Sequence, residues 1–286
     1  METCDKSTDF ENLIQECWAE HATNTSQVAE KLSQVSPQEI EDKDIAAYVK
    51  ILIHTYGSHL NQFNKAIEIL NTISEHKARL GQVNHALNVG LAVANTCVGN
   101  LEAAHEFSQK AFLRAVTKSA ILQIKASAAF EMSTENGATT EARRVFKEAL
   151  CLAEELKEFD KPLARNLAMA GNGIACWLEQ KETLSDDETQ FLLQAAAAGR
   201  QYWEIAGTWL QVARAEYRLA MSHIKAKQLD KALFHAQECA KINVENNADS
   251  YELFFANQAL ALVYREKCIH LKSMVHEDHQ EFCKVP

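Results

Sequence analysis

Apolar residues in this chain recur three and four positions apart, the spacing that lines one face of an α-helix, and the blocks that show it come in pairs. An upstream helix A is expected over residues 45–59, 85–97, 120–132, 163–180 and 209–226. A helix B follows each, with a small alanine early in it: Ala66, Ala104, Ala142, Ala195 and Ala232. The surroundings of most of these alanines are alike. Gly99-Asn100-Leu101-Glu102-Ala103-Ala104 is followed by Phe107 and Ala111, and Gly137-Ala138-Thr139-Thr140-Glu141-Ala142 by Phe146 and Ala149. Phe63-Asn64-Lys65-Ala66 precedes Leu70 and Ile73, and Leu229-Asp230-Lys231-Ala232 precedes Ala236 and Cys239. A small side chain there lets A and B pack ridges into grooves. Successive alanines stand 38, 38, 53 and 37 residues apart. The long interval is expected to hold an insertion near residues 179–187, a polar stretch where Ser185 and Glu188 have the spacing of a capping box.

Two more pairs flank these five: residues 10–21 with 25–35, and 251–267 with 268–284. The boundary near residues 36–44 is soft, because Thr25 and Glu30 make a poor cap. A helix pair cannot bury its apolar face alone; stacking the pairs does so, and a solenoid results. Only 9 Gly and 3 Pro occur in 286 residues, too few breakers for the turns of a sheet fold. The expectation is an all-α chain: a right-handed α-solenoid of six to seven antiparallel helix pairs in one domain over residues 1–286.

The pattern resembles the tetratricopeptide repeat in its small residue at Ala92 in helix A, the turn glycines Gly99 and Gly137, the anchoring alanine, and the small or aromatic residues after it. It departs at Asn88 and Ala126, where the family has an aromatic residue, and at Val116 and Glu154, where it has proline. The period also exceeds the family's 34 residues. Tyr202-Trp203-Glu204-Ile205-Ala206-Gly207-Thr208-Trp209, Arg214-Ala215-Glu216-Tyr217-Arg218 and Phe254-Phe255-Ala256 resemble a group of bacterial tetratricopeptide proteins. That likeness covers roughly residue 163 onward and implies the fold and a bacterial origin, with no activity to carry over. In the repeat family the second and fifth residues of helix A line a concave groove. Carried onto this chain, they are Arg214 and Tyr217 in one repeat and Tyr48 and Ile51 in another.

A net charge of −10 opposes phosphate backbones and anionic lipid as main partners, since both need clustered Lys and Arg. The most apolar stretch, residues 86–98, is too short to span a membrane, and the polar, acidic N-terminus lacks a signal-peptide pattern. The 8 cysteines are scattered without a CxxC, as expected of reduced thiols in the cytoplasm; Cys176 and the rest have no local catalytic signature.

Three constellations bear on chemistry. His276, His279 and Cys283 share a helical face near the C-terminus, and Cys268 or His270 could fold back to complete four zinc donors; a solvated terminal helix explains the same residues, and no metal or other cofactor is expected. Glu102 and His105 have the spacing of one di-iron motif where two are needed, and are read as surface. Gly171-Asn172-Gly173 lacks the rest of a phosphate loop and is read as a close helix crossing. The dense aromatics, Phe254 among them, are read mainly as core, with some of them falling on the inner side of helix A.

The expected function is a non-catalytic scaffold that binds a protein or peptide in its groove, with neither nucleic acid nor membrane as partner. The alternatives are an enzyme or small-molecule- or metal-responsive sensor with a site between helices, and a regulatory subunit whose output domain lies on another chain.

Overall fold

The computed structural model describes residues 6–82, 84–112, 116–133, 139–156 and 159–282, without the side chains of 6–9 and 270–282. The described chain is all-α, with thirteen α-helices and no strand. It gathers into two compact units, Met1–Phe159 and Asp160–Pro286.

The first unit holds α1 (Lys6–Glu20), α2 (Thr25–Ser33), α3 (Ile45–Ile53), α4 (Phe63–Arg79), α5 (His85–Cys97), α6 (Leu101–Ala111), α7 (Lys118–Met132) and α8 (Thr139–Glu155). Neighbours pack in pairs, most extensively α5 on α6 and α7 on α8. The helix starts follow from side chains that accept orphan N–H groups: Asn84 Oδ1 from Leu87 N, Asn100 Oδ1 from Ala103 N, and Thr117 Oγ1 from Ala120 N. The turn after α5 needs Gly99 at φ +75°, a left-handed geometry that costs glycine nothing. Ala66, Ala104 and Ala142 are each the fourth residue of their B helix, and all are buried. The soft segment at 36–44 is pinned by buried Lys77, whose ammonium donates to Ile40 O and Asp42 Oδ1 at 2.8 and 3.0 Å.

One helix departs from expectation. The block at 45–59 is α-helical only to Ile53 and continues as a π-helical turn, His54–His59. The i→i+5 bond from Leu60 N to Thr55 O, at 3.2 Å, marks the wider winding.

The second unit holds α9 (Lys161–Gln180), α10 (Asp186–Ala206), α11 (Trp209–Lys225), α12 (Leu229–Glu245) and α13 (Ser250–Phe282). α9 packs on α10, α11 on α12, and α13 on both α12 and α11. The capping box at α10 forms: Ser185 Oγ accepts from Glu188 N at 3.2 Å, and Glu188 Oε2 accepts from Ser185 N at 2.9 Å. Ala232 is again the fourth residue of its helix, but Ala195 is the tenth of α10. The extra residues of the long interval lie in two longer helices, of 20 and 21 residues, and only a short turn separates them. Ala195 still serves close approach. A Cβ on Gly171 would lie 2.5 Å from Ala195 O and 2.8 Å from Gly199 N, so here the α9 and α10 backbones touch. Gly199 faces Gly171 across this crossing.

The pair expected at 251–267 and 268–284 is instead the single helix α13. The segment has no Gly or Pro between Ser250 and Phe282 to end a helix. No helix among the described residues is long and apolar enough to cross a membrane.

Candidate functional site

α11 is built to present polar residues on one side and small ones on the other. Ala213, Ala215, Leu219 and Ala220 are buried, while Arg214 is exposed and Tyr217 half-buried. Thr208 caps the helix and fixes its start, with Gln211 completing a second capping box that the sequence reading missed. Arg214 and Tyr217 therefore reach a concavity of about 260 Å³ between α11, α12 and α13, which Asn172 of α9 also lines.

Two opposed chemistries line this concavity. Arg214 Nε donates to both Glu252 oxygens, at 3.0 and 3.2 Å, and Nη2 also bonds Oε1. The Glu252 hydrogen bonds, more than its charge, raise the Arg214 pKa. Tyr217 donates its hydroxyl to Gln258 Oε1 at 3.1 Å and meets Phe255 edge-on at 5.8 Å. Phe255 is edge-on to Tyr251 and Phe254 as well, at 4.9 and 5.4 Å. Aromatic faces thus stand beside a charged pair.

Two buried polar atoms on the lining have no hydrogen-bond partner among the described residues. Asn243 spends its amide N–H on Cys239 O at 2.9 Å, and its Oδ1 accepts nothing. Arg218 donates through Nη1 to Glu179, whose other oxygen accepts from Ser222 Oγ at 2.7 Å, but Arg218 Nε donates to nothing. Burial pushes the Glu179 carboxyl above its ordinary pKa although Arg218 pulls it down. Sequence reasoning missed Asn243, Arg218 and Glu252. Its only available signal was that polar residues stand where α12 and α13 turn an apolar pattern inward.

The other expected site residues fall elsewhere. Tyr48 and Ile51 are not groove residues: both are fully buried. Tyr48 packs against Phe10 and donates its hydroxyl to Leu32 O at 2.7 Å, because α1 and α2 cover the face that the repeat register leaves open. Phe254 is not core; it is 61% exposed on α13. Glu102 and His105 are both exposed, as read. Of the C-terminal cluster, His276 and His279 lie on α13 with undescribed side chains, and Cys283 lies outside the described residues. Cys268 has no way to fold back on His276. The two are on one continuous helix, eight residues and so about 12 Å apart along its axis. Cys17 and Cys239 are buried, Cys97 and Cys176 half-buried, and Cys151 and Cys268 exposed, with no disulfide among these six; Cys4 is outside the described residues. Burial raises the Cys176 thiol above its ordinary pKa, which keeps it protonated and unreactive.

A second concavity, of about 770 Å³, lies on the other side of α11 against α10 and α12. Its buried carboxylate is paired: Glu216 accepts from Arg200 Nε at 2.5 Å and bonds His235 Nδ1 at 2.7 Å. No protein-family model matches this chain, and no curated protein matches it.

Proposed function

We propose that the chain is a non-catalytic, tetratricopeptide-like helical-repeat module, right-handed in its stacking, of bacterial origin and cytoplasmic. Its function is to hold an extended segment of a partner protein in the concavity between α11, α12 and α13. One observation carries this reading: Asn243 and Arg218 both line this concavity, and each holds a buried polar atom without a partner, the acceptor Oδ1 in one and the donor Nε in the other. A peptide group brings one N–H and one C=O, the complement of that pair. Each unmade hydrogen bond at a buried site costs roughly 1–3 kcal/mol, so a ligand that makes both gains affinity there. The walls add Tyr217, Tyr251 and Phe255, and tyrosine is among the residues that dominate binding hot spots.

The test is selection of peptides from a displayed library against the whole chain, followed by fluorescence anisotropy of the selected peptides. Asn243→Leu removes the unpaired acceptor; it is expected to leave the melting temperature unchanged or raised and to weaken the peptides about 10-fold. Stability and binding then move apart, which a purely structural asparagine would not allow. Tyr217→Ala is expected to cost about 2 kcal/mol or more of affinity. Peptides that bind both variants as tightly as the parent, or a library that yields no peptide, would refute the reading.

A further inference from the structure

In the first unit three histidines meet that no spacing in the sequence brings together. His21 sits in the turn after α1, and His54 and His59 begin and end the π-helical turn. Their ring centroids are 5.2, 5.1 and 4.9 Å apart pairwise, and one nitrogen from each ring lies within 4.8 Å of one from each of the others. In an α-helix, positions five apart point about 140° away from each other, at 100° per residue. The π winding narrows that divergence and brings His54 and His59 toward one side. Such turns concentrate at functional sites.

The hydrogen bonds around the rings set their tautomers. His21 Nδ1 lies 2.6 Å from Trp18 O; a carbonyl only accepts, so the proton is on Nδ1 and the lone pair on Nε2. His54 Nδ1 lies 3.1 Å from Glu131 Oε2, and the carboxylate draws the proton to Nδ1 in the same way. Glu131 is itself held by Ser58 Oγ, which donates to its backbone oxygen at 3.1 Å and to its carboxylate. A carboxylate–histidine pair of this kind is the usual outer support of a metal ligand.

We propose that His21, His54 and His59 form a three-histidine site for a borderline divalent cation, with Zn²⁺ as the reference ion, Glu131 as the positioning residue behind His54, and a fourth position for water or another ligand. Three imidazole nitrogens select zinc, cobalt or nickel over Mg²⁺ and Ca²⁺, which take oxygen donors. Zinc bonded to nitrogen at 2.0–2.1 Å in a tetrahedron needs its nitrogens about 3.4 Å apart. The rings must therefore draw in by up to about 1.4 Å from the 4.8 Å limit. Half-buried His21 and His59 have room to do so and give the ion a way in, while buried His54 is the fixed member. The rival explanation is that the rings are aromatic packing: Trp18 lies 5.5 Å from His54, and Phe130 stacks on His54 at 5.8 Å.

The experiment is calorimetric titration of the tag-free, chelator-treated full chain with ZnCl₂, repeated with Co²⁺ to read the visible bands of tetrahedral coordination. One ion per chain is expected. His21→Ala, at a half-buried turn position that leaves the core intact, is expected to weaken binding by more than 100-fold. Glu131→Gln, which keeps size and loses charge, should weaken it about 10–100-fold. His276→Ala/His279→Ala should leave it unchanged. Absence of binding, binding unchanged in both His21→Ala and Glu131→Gln, or binding lost only in the His276→Ala/His279→Ala variant would each overturn the site in favour of packing or of the C-terminal histidines.

Discussion

At the scale of single residues, register proved less decisive than what covers it. Tyr48 and Tyr217 were placed by the same rule, yet one is sealed under α1 and α2 and the other faces a concavity. A rule about helix faces carries no knowledge of which further element lies on the face. The energetic expectations separate accordingly. Tyr48→Ala removes a fully buried ring and its bond to Leu32 O, at about 3–5 kcal/mol for a buried aromatic. Phe254→Ala trims an exposed ring and should stay within about 0.5 kcal/mol. Denaturant unfolding of the two variants checks the order, and a larger loss for Phe254→Ala would contradict the placement. Arg214→Ala is not a silent change. It leaves the Glu252 carboxylate, only 9% exposed, without its charged partner, so a measurable drop in melting temperature is expected.

At the scale of elements, helix existence was legible and helix extent only in part. Caps announced themselves: Ser185 with Glu188, and the turn glycine Gly99. The fourth-residue alanines fixed α4, α6, α8 and α12. The π turn was not legible: His54-Thr55-Tyr56-Gly57-Ser58-His59 are weak helix formers that mark a poor helix end, but no residue pattern in them specifies the wider winding. The α13 break was over-read, since a seventh pair was inferred from the repeat without a Gly or Pro to end its first helix. Two predictions belong here. Gly171→Ala gains about 1 kcal/mol of helix propensity, but its Cβ would meet the α10 backbone. Overpacking of this kind costs typically 1–3 kcal/mol, so net destabilisation is expected; a gain in stability would show that the crossing has slack. Ser185→Ala should cost about 1 kcal/mol. Its carboxylate partner adds a pH signature. Hydrogen bonds from Lys181 and from the Ser185 backbone hold Glu188 at about 2, below its ordinary 4.5. A depressed pKa contributes stability in full above 4.5 and loses it as pH falls toward 2. Unfolding titrations should show Glu188→Gln with a shallower acid-side loss than the parent.

At the scale of the whole molecule, the break in the repeat period was the most informative feature, and it was read as an insertion. The 53-residue interval from Ala142 to Ala195 contains the junction between the two units at Phe159 and Asp160. A stacked repeat keeps its period as long as each pair packs on the next, so a lapse in period is where packing is free to reorganise. The second unit carries its own core, in which Ala220, Ala232, Ala236, Ala259 and Val263 come together. Its first helix is also capped from within: Asp160 Oδ1 accepts from Leu163 N at 2.8 Å, and Pro162 stands in the first turn, where its missing N–H costs nothing. This unit is well above the roughly 55–65 residues at which domains fold alone. A fragment beginning a few residues before Asp160 is therefore expected to be helical by far-UV circular dichroism and to melt in one cooperative transition. It should also keep the α11–α13 concavity intact, because every residue on that lining belongs to it. A fragment that stays unfolded, or melts without cooperativity, would show that the second unit depends on the first for its core, and the period break would then mark longer helices and nothing more.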